Sequence, residues 1–179
     1  MSVRPVLRMG HPLLNQVAAE IAPDDPALAG LVADLRDTMV ASGGVGLAAP
    51  QIGVSLRVVV LGTGEVNPRY PEQAPIPFTV LVNPVITPLG EAMESAWEGC
   101  LSLPGLRGQV ARWRRIRYRA WNERGEPVSG EAEGFHARVI QHECDHLDGV
   151  LYPQRMDDLR QFGFVEELER AGRIAAVPG

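Results

Sequence analysis

Residues 141–146 read Gln-His-Glu-Cys-Asp-His, and no other stretch restricts the chain so strongly, because the pattern has a use only on a helix. At 3.6 residues per turn, His142 and His146 stand one turn apart on the same face, and two imidazoles so placed can share one cation. Val139, His142, Glu143 and His146 fall at i, i+3, i+4 and i+7. Glu143 therefore lies beside such an ion without being forced to bind it, where a general base belongs. The plainer alternative is a helix whose histidines are merely hydrogen-bonded. Two histidines and a glutamate in an otherwise apolar segment are costly to bury alone, however, and a cation offsets that cost. Cys144 sits two positions from each histidine, points to the far side and reads as core filler.

A helix is thus predicted over residues 134–147, stopped by Asp148-Gly149. A second, amphipathic helix is announced by Pro23-Asp24-Asp25-Pro26, carries Leu28, Leu31, Val32, Leu35 and Met39 at helical spacing, and ends at Gly43-Gly44. Between the two, strands dominate. Residues 57–61 and 79–82 read as buried strands, the latter stopped by Asn83-Pro84, with a proline- and glycine-rich surface loop over 62–77. Residues 91–97 form a third strand, and 109–121 one or two more, closing at the turn Asn122-Glu123-Arg124-Gly125. Residues 159–171 predict a last helix. With 45% apolar residues and no repeat or linker, residues 1–179 predict one catalytic domain. Its class is α+β, mostly antiparallel strands with flanking helices.

All 17 basic residues are arginine, so lysine nucleophiles and Schiff bases are excluded. A net charge of -5 supplies no overall attraction to nucleic acid or anionic membrane. No run has signal-peptide or membrane-span character, which predicts a cytoplasmic protein with no membrane partner. In such a reducing compartment, the two cysteines Cys100 and Cys144 read as ligand or filler rather than as a bridge. Residues 112–119, with five arginines among aromatics, invite an RNA-binding reading. Strand alternation with arginine stems covering apolar surface explains them better, and no specific nucleic-acid partner is expected.

Two histidines leave a tetrahedral site short of a third protein ligand, with one position kept for water. Cys100, in Glu98-Gly99-Cys100-Leu101-Ser102-Leu103-Pro104, is one candidate. Glu166 in the last predicted helix is the other, as in many zinc peptidases.

Three segments in order, Gly44-Val45-Gly46-Leu47-Ala48-Ala49-Pro50-Gln51, Glu98-Gly99-Cys100-Leu101-Ser102 and Gln141-His142-Glu143-Cys144-Asp145-His146-Leu147, resemble the signature motifs of the peptide deformylase family. A weaker likeness runs from Val6-Leu7-Arg8-Met9-Gly10 to about Met156. The resemblance implies that Cys100, His142 and His146 bind the ion, that Glu143 handles the proton, and that Gln51 and the backbone N–H of Leu101 face the developing oxyanion. It implies an apolar pocket for the methionine side chain near Val45, Phe135 and Val139, close approach of substrate to the backbone at Gly46, and contact between Arg107 and the following residues. The family removes the formyl group from the N-terminal methionine of nascent polypeptides. The implied cofactor is one divalent ion, Fe2+ first and Zn2+, Ni2+ or Co2+ as alternatives. The implied partners are N-formylmethionyl nascent peptides, with weak ribosome association. The loop over 62–77 is longer than in the shortest members, and the C-terminal tail follows no pattern of the family.

Overall fold

The computed structural model describes residues 2–65 and 72–175. The middle of the loop read over 62–77 and the last four residues of the tail lie outside the described residues. The first helix, α1 (Leu28–Ala41), follows the predicted spacing and buries Leu28, Val32, Leu35 and Met39. Five strands then build one antiparallel sheet: β1 (Gly46–Ala48), β2 (Val58–Leu61), β3 (Thr79–Pro88), β6 (Arg115–Trp121) and β7 (Pro127–Glu133), in the order β1-β2-β3-β6-β7. A second antiparallel sheet holds β4 (Met93–Cys100), β5 (Leu103–Trp113) and β8 (Phe162–Phe164), in the order β4-β5-β8. The mixed α+β class with mostly antiparallel strands is as expected.

The central helix α2 (Gly134–Leu147) packs against strands of both sheets. Residues 137–147 are buried except for a half-buried His142, as befits a helix enclosed on all sides. Ala137, Val139, Ile140, Cys144 and Leu147 join Val59, Leu61, Leu81 and Ile116 in one core cluster, so the far-side cysteine is core as read. A second cluster places α1 on the other face of β2, around Val58, Val60 and Leu47. The stop at Asp148-Gly149 is structural. Gly149 has φ 70°, and a Cβ there would lie 2.7 Å from the Asn15 carbonyl carbon, so neither the conformation nor the space admits a side chain.

Two expectations require correction, and one strand had no counterpart in the sequence reading. β3 does not stop at Asn83-Pro84 but continues to Pro88 through a bulge between Val82 and Val85. Asn83 takes φ 49° there, and its side chain accepts from Ile21 N–H (3.2 Å) and donates to Ile21 O (2.8 Å). The bulge absorbs the missing proline N–H. The final helix over 159–171 is broken. Leu159–Gln161 is a single 3-10 turn, Phe162, Gly163 and Phe164 pair with Gly108, Arg107 and Leu106 of β5, and only Val165–Arg170 (α3) is α-helical. Aromatic residues with an open sheet edge beside them outweigh helical spacing. Lastly, β7 was not foreseen; its exposed, charged outer positions disguise an edge strand paired along its whole length to β6.

Candidate metal centre

The helical stripe does what its spacing promised. His142 and His146 project from α2 with ring centroids 5.1 Å apart, and Cys100 arrives at the end of β4. One ligand atom from each of Cys100, His142 and His146 lies within 4.8 Å of the others, and Cys100 Sγ is 3.3 Å from His146 Nε2. Among the described residues this is the group of His, Cys, Asp and Glu side chains able to hold a metal ion. Glu166, the alternative third ligand, lies exposed in the first turn of α3 and is not part of it. One sulfur and two imidazole nitrogens form a donor set suited to first-row divalent ions.

The donors are held from behind. Glu98, 4% exposed, spends its whole carboxylate on buried partners. Oε1 accepts from Arg112 Nε (2.9 Å) and Arg138 Nη1 (2.8 Å), while Oε2 accepts from Arg112 Nη2 (2.9 Å) and lies 2.9 Å from His142 Nδ1. Burial alone would raise the pKa of this carboxyl, but the hydrogen bonds from Arg112 and His142 prevail and hold it well below the usual range. An ionised carboxylate can only accept, so His142 Nδ1 carries the proton and Nε2 presents its lone pair to a cation. Arg112 also bonds Asp145, which binds Arg155 in turn (2.8 Å), so Asp145 orients an arginine rather than a histidine. At Cys100, burial would raise the thiol pKa, yet the charges and hydrogen bonds of His146 and His142 bring it well below its ordinary value. A thiolate is the form that binds metal.

Glu143 stands apart from these bonds. It is 4% exposed and its Oε2 is buried without a hydrogen-bond partner. Burial pushes its carboxyl up to about 7, against the opposing pull of the two histidines. The carboxyl has room because Gly46 lacks a side chain: a Cβ there would come within 2.8 Å of Glu143 Cγ and 2.7 Å of Cδ. Gln51 is fixed at one end, its Oε1 accepting from Ala48 N–H (2.9 Å), which turns Nε2 toward Ser102 Oγ (3.1 Å) and Cys100 Sγ (3.5 Å).

Val45, Gly46, Gln51, Cys100, Leu101, Phe135, Val139, His142 and Glu143, all singled out in the sequence, line one cleft. Arg107 does not. It is buried, with its guanidinium lying over Gly99, the cleft residue whose Cβ would collide with it. Trp97, Glu98 and Arg138 line the cleft too, and the sequence reading gave none of them a role. The signal for Arg112 was present: strand alternation puts it on the same face as fully buried Val110. Two exposed arginines of β6 are paired, Arg117 and Arg115 with Glu131, and Arg115 also with Glu133.

Residues 3–162 match the family model described as polypeptide deformylase. The chain belongs to the polypeptide deformylase family. Members are metal-dependent hydrolases of formylated peptides, and this deformylase has the buried donor set to match. It is 58% identical to peptide deformylase 1 of Prochlorococcus marinus over 97% of this chain and 91% of that protein. It is 54% identical to peptide deformylase 1 of Nitrosomonas europaea, over 97% and 98%. Among solved structures, the class I type b peptide deformylase from Acinetobacter baumannii with Met-Ala-Ser bound matches at TM-score 0.81 and 37% identity, covering 87% of this chain and 99% of that one.

Proposed function

We propose that this deformylase hydrolyses the N-formyl group of N-terminal formylmethionine on nascent polypeptides, releasing formate, with one divalent ion held by Cys100, His142 and His146 and with Glu143 as proton carrier. The observation that carries the reading is a buried glutamate without a partner at Oε2, set one helical residue from a Cys-His-His donor set that would otherwise have no reason to be assembled. When bound, the ion supplies Lewis acidity and makes water nucleophilic near neutral pH.

The remaining work falls to side chains. Glu143, with its carboxyl pushed up to about 7, is poised to take the proton of the attacking water and to return it to the leaving amine. Gln51 Nε2, oriented through its bond to Ala48, donates to the oxygen that gains charge, together with the backbone N–H of Leu101. Losing one such donor costs on the order of a hundredfold in rate. β1 and β4 are edge strands of their sheets and both line the cleft, so an extended peptide can lie between them as an added strand. Val45, Phe135 and Val139 supply the apolar wall for methionine, and Gly46 the close backbone approach. Arg107, beneath Gly99, acts on the peptide through that strand rather than by direct contact.

The native ion is Fe2+ in this reading, with Zn2+, Ni2+ and Co2+ able to replace it on a mixed sulfur and nitrogen donor set. Among the described residues, no helix is long and apolar enough to cross a membrane. We place the enzyme in the cytoplasm, where nascent chains emerge, with at most weak ribosome contact because Arg115 and Arg117 of β6 already face acidic partners on β7.

Anaerobic protein with about one ion per chain should release formate from a formyl-methionyl peptide, and Glu143→Ala should abolish release while keeping the ion. Cys100→Ser should lose tight metal binding. A fully metallated, folded sample that releases no formate would refute the assignment.

A further inference from the structure

Trp97 lines the cleft from β4, one residue before Glu98, and what covers its ring comes from beyond the segment that matches the family. The match ends at residue 162, whereas the guanidinium of Arg173, in the turn after α3, lies over the Trp97 ring with Cζ 5.6 Å from the centroid. That is within the range of a cation–π contact. Arg173 is itself anchored. Its backbone N–H donates to Leu168 O (2.8 Å), Nη1 donates to Arg160 O (2.9 Å), and Nη2 bonds the side chain of Gln161. The 3-10 turn Leu159–Gln161, the end of α3 and the wall of the cleft are thereby joined through one side chain.

We propose that Trp97 is a peptide-contacting wall of the cleft and that Arg173 is a positioning residue that fixes its ring, the pair setting affinity for an apolar side chain of the bound peptide. The substrate class rests on the deformylase reading; the coupling of the two residues does not. A large aromatic face gives contact area at little entropic cost only if it is already ordered, since immobilising a side chain on binding subtracts from affinity. Arg173 orders it beforehand. Arg173 is not among the residues that line the cleft, so its effect reaches the peptide through the Trp97 ring and falls on binding.

The test is a double-mutant cycle on the metal-loaded, full-length protein. Binding of Met-Ala-Ser is measured by calorimetry, and kcat and KM for its formylated form by formate release, in wild type, Arg173→Ala, Trp97→Leu and the double variant. Arg173→Ala should weaken peptide binding and raise KM about 2- to 5-fold with kcat unchanged, the range of an exposed cation–π contact. Arg173→Lys should recover much of the loss. In the Trp97→Leu background, Arg173→Ala should have no further effect. An equal loss in both backgrounds, no loss at all, or a fall in kcat would overturn the proposal. A wild type that shows the coupling in peptide binding but releases no formate would refute the deformylase reading and leave this one standing.

Discussion

Replacing Glu143 by glutamine should stabilise the metal-free protein at neutral pH, because the native carboxyl is held where its charge is poorly solvated. Its folded pKa is pushed up to about 7 from an ordinary 4.5, chiefly by burial. A raised carboxyl pKa means that the folded state binds the proton more tightly than the unfolded state. The stability this confers is complete below pH 4.5 and is lost as pH climbs through 7. At about 1.36 kcal/mol per pKa unit, a gap of some 2.5 units amounts to about 3 kcal/mol. Glutamine has the shape of the protonated acid and does not titrate, so the difference between variant and wild type isolates this one group. Urea unfolding of the metal-stripped proteins at intervals from pH 5 to pH 8.5 should show a difference of no more than about 1 kcal/mol at the acid end. The Glu143→Gln advantage should then grow toward about 3 kcal/mol and level off above pH 7.5. A difference that stays constant with pH, or one in which wild type gains as pH rises, would refute the account of Glu143 as a carboxyl strained by burial.

Other consequences follow from the same cleft. Gly46→Ala forces a methyl group to within 2.8 Å of the Glu143 side chain, so it should cost about 1–3 kcal/mol of stability and lower kcat while metal content stays near one per chain, read by unfolding, formate release and metal analysis. Glu98→Ala strands Arg112 and Arg138 in the interior and should destabilise by about 3–5 kcal/mol. It should also weaken metal affinity about 10- to 100-fold, through loss of the bond to His142 Nδ1, as seen in a chelator competition. At His142, burial would lower the imidazole pKa, but the hydrogen bonds and charges of Cys100 and Glu98 raise it well above its ordinary value. Protons and metal therefore compete, and titration with Zn2+ should release protons and show affinity falling as pH drops from 8 to 6. An iron-loaded preparation should lose activity in air faster than a zinc-loaded one, because the thiolate of Cys100 and Fe2+ are both oxidisable.

The parts of the site that the sequence disclosed are those governed by local geometry. His142, Glu143 and His146 are related by helical spacing alone, and the glycine at 149 that ends their helix is as local as they are. Cys100 stands 46 residues from His146, and nothing in spacing joins them; the three ordered motifs, not periodicity, brought it in. Glu98 was quoted within its motif, yet its role depends on Arg112 and Arg138 arriving from β5 and α2. Arg138 looks in sequence like any other in an arginine-rich chain, and Arg112 is set apart only by sharing a strand face with Val110. β7 and the bulge at Asn83 were hidden for a related reason. An edge strand with a polar face and a proline inside a strand are both permitted only by a neighbour, respectively β6 and the Ile21 backbone. The final helix failed because a vacant edge on β5 competes with helical propensity, and which one prevails is decided in space.

The three donors are divided between separate layers: the sulfur terminates β4 in the three-stranded sheet, whereas the imidazoles ride on a helix whose apolar face is sunk largely in the other sheet. An ion shared among them would act as a tie-bar across the gap in which the peptide is to lie. Its binding energy would add to the resistance of that gap to opening, by an amount that rises with the logarithm of free metal concentration. Starved of metal, such an enzyme would lose its chemistry and the mechanical closure of its cleft together, leaving β4 and the strands beside it as the first region to exchange amide hydrogens.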